Sequence, residues 1–173
     1  MNGFIIYKGK YGATKQYAEW IAVETNLKVS ALEDFDYSKL KNADVLIICS
    51  SVYVGKLLIA KWVKKNYHVL VNKKLFFVIV CATPSSEKKK QEKILRDNIP
   101  VELVKGNEVN FLPGRLTINK LSWKDAIILR MGSWIIKDPQ IKKSMRHDID
   151  GVKKENIADI VNKIKDYNVL TIS

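Results

Sequence analysis

The segment Ala43-Asp-Val-Leu-Ile-Ile-Cys-Ser50 runs through five consecutive apolar residues, from Val45 to Cys49. A strand with one wet face alternates apolar and polar residues, whereas an unbroken run bounded by polar residues marks a strand buried on both faces of a parallel sheet. Lys74-Leu-Phe-Phe-Val-Ile-Val-Cys-Ala82 has the same character, and Phe4–Tyr7, bounded by Gly3 and Gly9, is a shorter example. Leu27–Leu32 and Val109–Leu112 supply two further candidate strands, the latter just before Pro113-Gly114. Between and after these runs the period changes to that of amphipathic helices. One begins at Thr14, with Tyr17, Ala18, Ile21 and Ala22 on one side and Trp20 at its margin; another carries Ile59, Trp62 and Val63. A charged helix spans about Glu87 to Asp97, and a last one places Ile157, Ile160, Val161, Ile164 and Tyr167 on one stripe. Glu33–Ser38 reads as a turn and Ser50–Lys56 as a loop. Five strand–helix alternations predict an α/β, doubly wound five-stranded parallel sheet with right-handed crossovers, most simply in the order 2-1-3-4-5. Its ligand site is expected where strands 1 and 3 diverge, with the loops after strands 1, 3 and 4 meeting at one edge.

The first of those loops is Lys8-Gly-Lys-Tyr-Gly-Ala-Thr-Lys15. Strand, glycine turn and helix together aim unpaired backbone N–H groups and a positive dipole end at one spot, which suits a phosphate. Lys8, Lys10 and Lys15 add charge there. Glycine turns also join strands to helices with no ligand, so the cradle and the plain turn are both open at this point. A Walker loop is excluded, because no Gly-Lys-Ser/Thr run exists, and the dinucleotide fingerprint is excluded, because only Gly9 and Gly12 fit its spacing. The pattern points to a mononucleotide rather than NAD or ATP.

The 173 residues, 47% of them hydrophobic, read as one domain spanning 1–173 with a real core. No apolar run approaches the roughly 20 residues of a spanning helix, and no signal peptide is expected, since Gly3–Tyr7 is short and charge follows it. Cys49 and Cys81 form neither a disulfide framework nor a metal-site spacing, so a cytoplasmic protein is expected, with no metal. They read as small core residues rather than a redox pair at the ends of strands 3 and 4. His68 reads as an exposed histidine, and His147, between Arg146 and Asp148, as a solvated loop residue or a contact for an anionic substrate. The formal charge is +12, which implies an anionic partner. Between Pro113 and His147 eight basic residues face two aspartates, half the net charge. Lys88-Lys89-Lys90 is a second basic cluster that reads as a solvated helix face. The same Pro113–His147 stretch holds Leu121, Trp123, Ile127, Ile128, Leu129, Trp134 and Ile135. It is expected to be a helical, basic insertion near strand 5, either a cover on the sheet edge or a lid or docking surface beside the ligand site. No nucleic-acid motif or aromatic platform accompanies the charge.

Three loops in this order resemble the flavodoxin family: Tyr7–Thr14 after strand 1, Ser50-Ser-Val-Tyr-Val-Gly55 after strand 3, and Cys81-Ala-Thr-Pro-Ser85 after strand 4. The resemblance covers most of the chain and is nearest to the menaquinone-dependent protoporphyrinogen oxidases, which also carry a basic helical insertion near the fifth strand. It implies FMN as cofactor. Its phosphate would lie on Lys8, Gly9, Lys10, Tyr11, Gly12, Ala13 and Thr14, and its ring between Ser51, Val52, Tyr53, Val54, Gly55 and Ala82, Thr83, Pro84, Ser85. Tyr53 would stack on the ring or simply shield the core as a loop tyrosine. The family's phosphate loop usually begins with two hydroxyl residues where this chain has Lys8 and Gly9. Two hydrogen bonds worth roughly 1.5–3 kcal/mol each are thereby missing. A phospho-receiver domain shares the strand order but needs carboxylates after strand 1 and an aspartate ending strand 3; Lys8 and Ser50 exclude it. Two functions follow from the resemblance. The first is an FMN-dependent oxidoreductase passing electrons from a reduced, porphyrinogen-like anionic molecule to an acceptor such as a quinone, with peripheral contact to an anionic membrane. The alternative is a one-electron carrier docking on redox partner proteins, a role whose usual acidic surface is absent at +12. No side chain is an evident acid, base or nucleophile.

Overall fold

The computed structural model describes residues 2–83, 86–117 and 148–170. Strands β1 (Gly3–Lys8), β2 (Lys28–Ala31), β3 (Val45–Tyr53), β5 (Lys74–Cys81) and β6 (Glu108–Pro113) pair in the order β2-β1-β3-β5-β6, every pair parallel. This is the 2-1-3-4-5 arrangement expected from the sequence, once the two-residue β4 (Lys56–Leu57), which pairs antiparallel with the end of β3, takes its number. The helices are α1 (Ala13–Thr25), α2 (Ser38–Asn42), α3 (Ala60–Lys65), α4 (Tyr67–Leu70), α5 (Lys88–Asn98), α6 (Val101–Val104) and α7 (Ala158–Leu170). A two-strand ribbon of β7 (Arg115–Leu116) and β8 (Ile149–Asp150) stands beside the sheet.

The continuous apolar runs do what their composition requires. Successive side chains of a strand point to opposite faces, so β3 sends Leu46 and Ile48 into one cluster, with Trp62, Val63, Leu70 and Ile94. Ile47 and Cys49 go into the other, with Tyr17, Ala18, Ile21, Ile160 and Ile164. β5 divides in the same way, Phe77 and Ile79 against Phe76 and Val78. Burying each such large side chain contributes about 1.5–3 kcal/mol. The central strands therefore anchor both layers, and α1 and α7 share one of them.

Two local readings change. The segment 50–56 is not a loop: β3 continues to Tyr53 and turns back through Val54 and Gly55 into β4. The turn 33–38 contains a 3-10 turn at Leu32–Asp34 and leads into the short helix α2. Cys49 and Cys81 are both free and buried. Cys49 faces the α1 side with Val78 and Val80, so Cys81, the neighbour of Val80, faces the other; the two are not a redox pair.

Tyr17, fully buried on α1, ties the ribbon to the sheet. Its hydroxyl donates to the carbonyl of Pro113 (3.0 Å) and accepts from Nδ2 of Asn156 (2.8 Å), which also donates to the carbonyl of Gly151 (2.8 Å). Burial raises the Tyr17 pKa above its ordinary 10.0, the Asn156 hydrogen bond opposing it. A raised pKa gives stability that is whole below pH 10 and is lost as pH rises through the folded value. Tyr17→Phe is therefore expected to lower unfolding free energy by about 1–3 kcal/mol at neutral pH. It should also flatten the decline above pH 10, both read from urea melts across pH.

Candidate flavin site

The loop after β1 forms because Gly12 takes φ +83°, a left-handed conformation that glycine adopts without strain, and so starts α1 abruptly. Among the described residues no side chain caps this helix end, and no carboxylate lies in its first turn. Its leading N–H groups are thus left for an anion, at the positive end of a 13-residue helix. Gly9 serves close packing. A Cβ there would stand 2.7 Å from Cβ and 2.8 Å from Oγ1 of Thr14. Thr14, buried and in the first turn of α1, fills the space a side chain at position 9 would need. The absence of a hydroxyl residue at Gly9 is therefore coupled to where Thr14 sits.

The lysines of the loop diverge. Lys8 reaches sideways to Glu33 (3.0 Å), whose carboxyl it holds below the usual range. Lys15 turns along α1 to Glu19 (3.7 Å). Lys10 crosses to the second loop, its Nζ 4.0 Å above the Tyr53 ring and 5.6 Å from that of Tyr11. Such an ammonium–ring contact is worth about 0.5–1 kcal/mol where water still reaches it. It brings the first two predicted loops into direct contact.

The second loop is a two-residue hairpin turn with positive φ at both Val54 (+49°) and Gly55 (+71°), the type I′ geometry that suits strand twist. Glycine accepts that conformation, whereas a β-branched valine is strained in it by about 1–2 kcal/mol. Asn98, buried on α5, holds the hairpin. Its Oδ1 accepts from the Leu57 N–H (3.0 Å), and its Nδ2 donates to the carbonyls of Gly55 (3.0 Å) and Ile94 (2.8 Å). Sequence reading missed Asn98, since an asparagine closing a charged helix looks like an ordinary helix end. Its one signal is an amide in a position the helix period turns toward the core. Ser50 is buried too, its hydroxyl accepting from the Ile59 N–H (3.3 Å) where the chain returns from β4.

Ser51 differs. Its Oγ is buried with no hydrogen-bond partner among the described residues. Cys49 before it belongs to the α1-side cluster and Val52 after it packs on the other, so strand alternation turns Ser51 to the α1 side. A buried hydroxyl left alone costs about 1–3 kcal/mol, which makes it a candidate ligand contact. Of the third loop, Ala82 is exposed and Thr83 half-buried, with its carbonyl accepting from Cys81 Sγ (3.8 Å). Burial pushes the Cys81 thiol up, and the Cys49 thiol further. Pro84 and Ser85 lie outside the described residues, as do His147 and the core of the predicted insertion.

The described residues include the start of that insertion and the strand that follows it. β7 and β8 pair antiparallel, and Arg115 donates to Asp150 (2.8 Å) and to Oε1 of Gln16 (3.1 Å) in the first turn of α1. The Val152 N–H, followed by Arg115, holds the Asp150 carboxyl below its ordinary range. His68 is exposed on α4. Among the described residues no helix is long and apolar enough to cross a membrane, and no group of three or more His, Cys, Asp or Glu could hold a metal ion.

These features define a doubly wound α/β protein whose candidate site lies at the C-terminal edge of the sheet, where β1 and β3 diverge. Residues 4–143 match the family model described as a flavodoxin domain, and the chain belongs to the flavodoxin family, whose members bind a flavin, usually FMN. Similar solved structures include Smu.1420 from Streptococcus mutans, at 14% identity over 84% of this chain and 99% of that one, TM-score 0.51. A flavodoxin from the domain Archaea aligns at 18% identity over 85% of this chain and 100% of that one, TM-score 0.45. A flavodoxin of Megasphaera elsdenii aligns at 15% over 65% and 85%, TM-score 0.46. No curated protein matches.

The Gly9–Thr14 contact gives a direct test. Gly9→Thr restores the family's usual hydroxyl residue but drives a Cβ into Thr14, and overpacking of this kind costs about 1–3 kcal/mol. The melting temperature is expected to fall, and FMN affinity to stay level or weaken. Tighter FMN binding with unchanged melting would show that the site at residue 9 is roomier than the contact implies.

Proposed function

We propose that the chain binds one FMN, noncovalently, and works as an oxidoreductase that passes electrons from a reduced, anionic and largely apolar substrate to an acceptor such as a quinone. One observation carries this reading. The helix N-terminus and the Ser51 hydroxyl, neither of which has a side-chain partner among the described residues, lie at the same edge and on the same side of the sheet. Both suit the phosphate and polar tail of a mononucleotide. The backbone N–H groups of residues 9–14 and the Thr14 hydroxyl hold the phosphate, with the Ser51 hydroxyl donating beside them. Lys10 supplies charge at the junction of the first two loops. Tyr53 offers a ring face, and Val54, Gly55, Ala82 and Thr83 form the adjoining walls, with Pro84 and Ser85 completing the third loop. FMN itself supplies the electron and hydride chemistry.

In this reading residues 1–173 form one flavodoxin-like domain with a basic insertion over 113–147. The anchoring of Arg115 to Gln16 supports placing the insertion beside the cleft, since Gln16 lies one turn from the phosphate loop. Its mixed basic and apolar composition suits an anionic amphiphile, a porphyrinogen-like substrate, or the anionic membrane surface that carries the acceptor, with the protein itself cytoplasmic.

Thr14→Val is expected to weaken FMN by roughly 1.5–3 kcal/mol, the scale of a hydrogen bond to a charged group. Ser51→Ala should weaken it also, while leaving the melting temperature of the apo protein unchanged or higher, because the hydroxyl has no partner among the described residues. Titration followed by flavin fluorescence, together with thermal melts, reads both. Parent affinity in both variants would remove the phosphate from this cradle.

A further inference from the structure

The charge of this protein is arranged more sharply than its total suggests. Residues 45–86 hold six lysines and no aspartate or glutamate. The segment 113–147 holds eight basic and two acidic residues, and all remaining residues carry sixteen of each sign. The whole excess thus sits in two segments, and the first lies within the described residues apart from 84–85.

Two of its six lysines serve the fold. Lys73 donates to the carbonyls of Lys41 (3.2 Å) and Ala43 (2.6 Å), and Lys74 to that of Gly106 (2.9 Å), all at the edge of the sheet away from the site. The other four, Lys56 on β4 and Lys61, Lys64 and Lys65 on α3, are exposed, and none is in an ion pair among the described residues. The carboxylate whose pKa feels Lys56, Asp97, is already bonded to Lys93 and flanked by Arg96. α5, whose last residue Asn98 holds the hairpin, begins with Lys88, Lys89 and Lys90, the last of them paired with Glu87. At the hairpin tip, two residues before Lys56, stands Val54, 63% exposed and held at φ +49°. Exposure of one valine is ordinary, but a strained backbone that serves to project it is not.

We propose that the β3–β4 hairpin tip and α3 form the docking face for an acidic redox protein. Val54 seats in an apolar spot on the partner, and Lys56, Lys61, Lys64 and Lys65 face its carboxylates. Charges around a small apolar centre steer encounter and fix orientation. The hairpin begins directly after Tyr53, so a partner seated here lies against the second wall of the flavin site. A membrane fits less well, because α3 turns its apolar residues Trp62 and Val63 into the core and has no apolar face to insert. The inference rests on the flavin reading only in calling the partner a redox protein.

The test uses a plant-type ferredoxin as the acidic probe, with association rates measured at low and high salt for the full chain, both without and with FMN. Lys56→Gln/Lys61→Gln/Lys64→Gln is expected to slow association at least about tenfold at low salt and to reduce its salt dependence. Val54→Asn, which suits the turn better, should raise the melting temperature and still weaken binding severalfold. Lys120→Gln/Lys124→Gln/Arg130→Gln should keep the parent's rate with ferredoxin. Parent-like association of the hairpin variant, or an equal loss in the 120/124/130 variant, overturns the proposal. So does a hairpin variant that loses binding to phosphatidylserine–phosphatidylcholine vesicles while ferredoxin binding is unchanged. Flavin fluorescence titration of each variant separates the two readings: ferredoxin binding without FMN binding keeps the docking face and removes the flavin.

Discussion

The structure depends on burial of β3 on both faces. A strand that is apolar throughout must be covered twice, and parallel neighbours joined by helices provide that cover. Once β1 and β5 flank β3 in parallel, the loops that follow all three strands emerge at one edge. The chain crosses from β1 to the outer β2 on one side before returning to β3 on the other. That these loops share an edge is therefore a consequence of packing: Gly9–Gly12, the hairpin and Ala82–Thr83 follow strands whose Ile5, Ile47, Phe76 and Val78 share one core.

Much of this was legible in the sequence, for a physical reason. Val45–Cys49 and Leu75–Cys81 have no polar residue to turn outward, so no other arrangement suits them. The abrupt turn from β1 into α1 was legible because Gly12 can take the positive φ it needs and the helix starts at the next residue. The hairpin was not. Ser51-Val-Tyr-Val mixes polar and apolar residues without a turn signal, since type I′ turns favour asparagine or aspartate where this chain has Val54. Asn98 was hidden for a related reason: its amide is bonded to backbone groups of Gly55 and Leu57, more than forty positions away, which no local pattern encodes. Lys8, Lys10 and Lys15 were read together as charge added to the first loop, by proximity in sequence. Glu33 and Glu19 draw Lys8 and Lys15 elsewhere, leaving Lys10 to link the two loops.

Charge adds a second level of organisation over the fold. One positive region lies on the hairpin and α3, and a second basic run in the sequence begins at Arg115, which is clasped to Asp150 and Gln16. Tyr17 and Asn156 fix the base of that clasp by hydrogen bonds to backbone carbonyls, so the entry and exit of the segment are set by the same buried layer that carries α1. Hairpin and clasp thus stand on opposite faces of one sheet edge, each tied by a buried polar side chain, Asn98 on one and Tyr17 on the other.

The central claim is that this edge is a flavin site. It is tested most directly by mixing the purified protein with FMN, removing free flavin by gel filtration and recording the visible spectrum of the protein peak. The account predicts a flavin spectrum at one FMN per chain, with shifted bands and quenched fluorescence. A protein peak without visible absorbance, at concentrations where the recovered protein is folded, would contradict it.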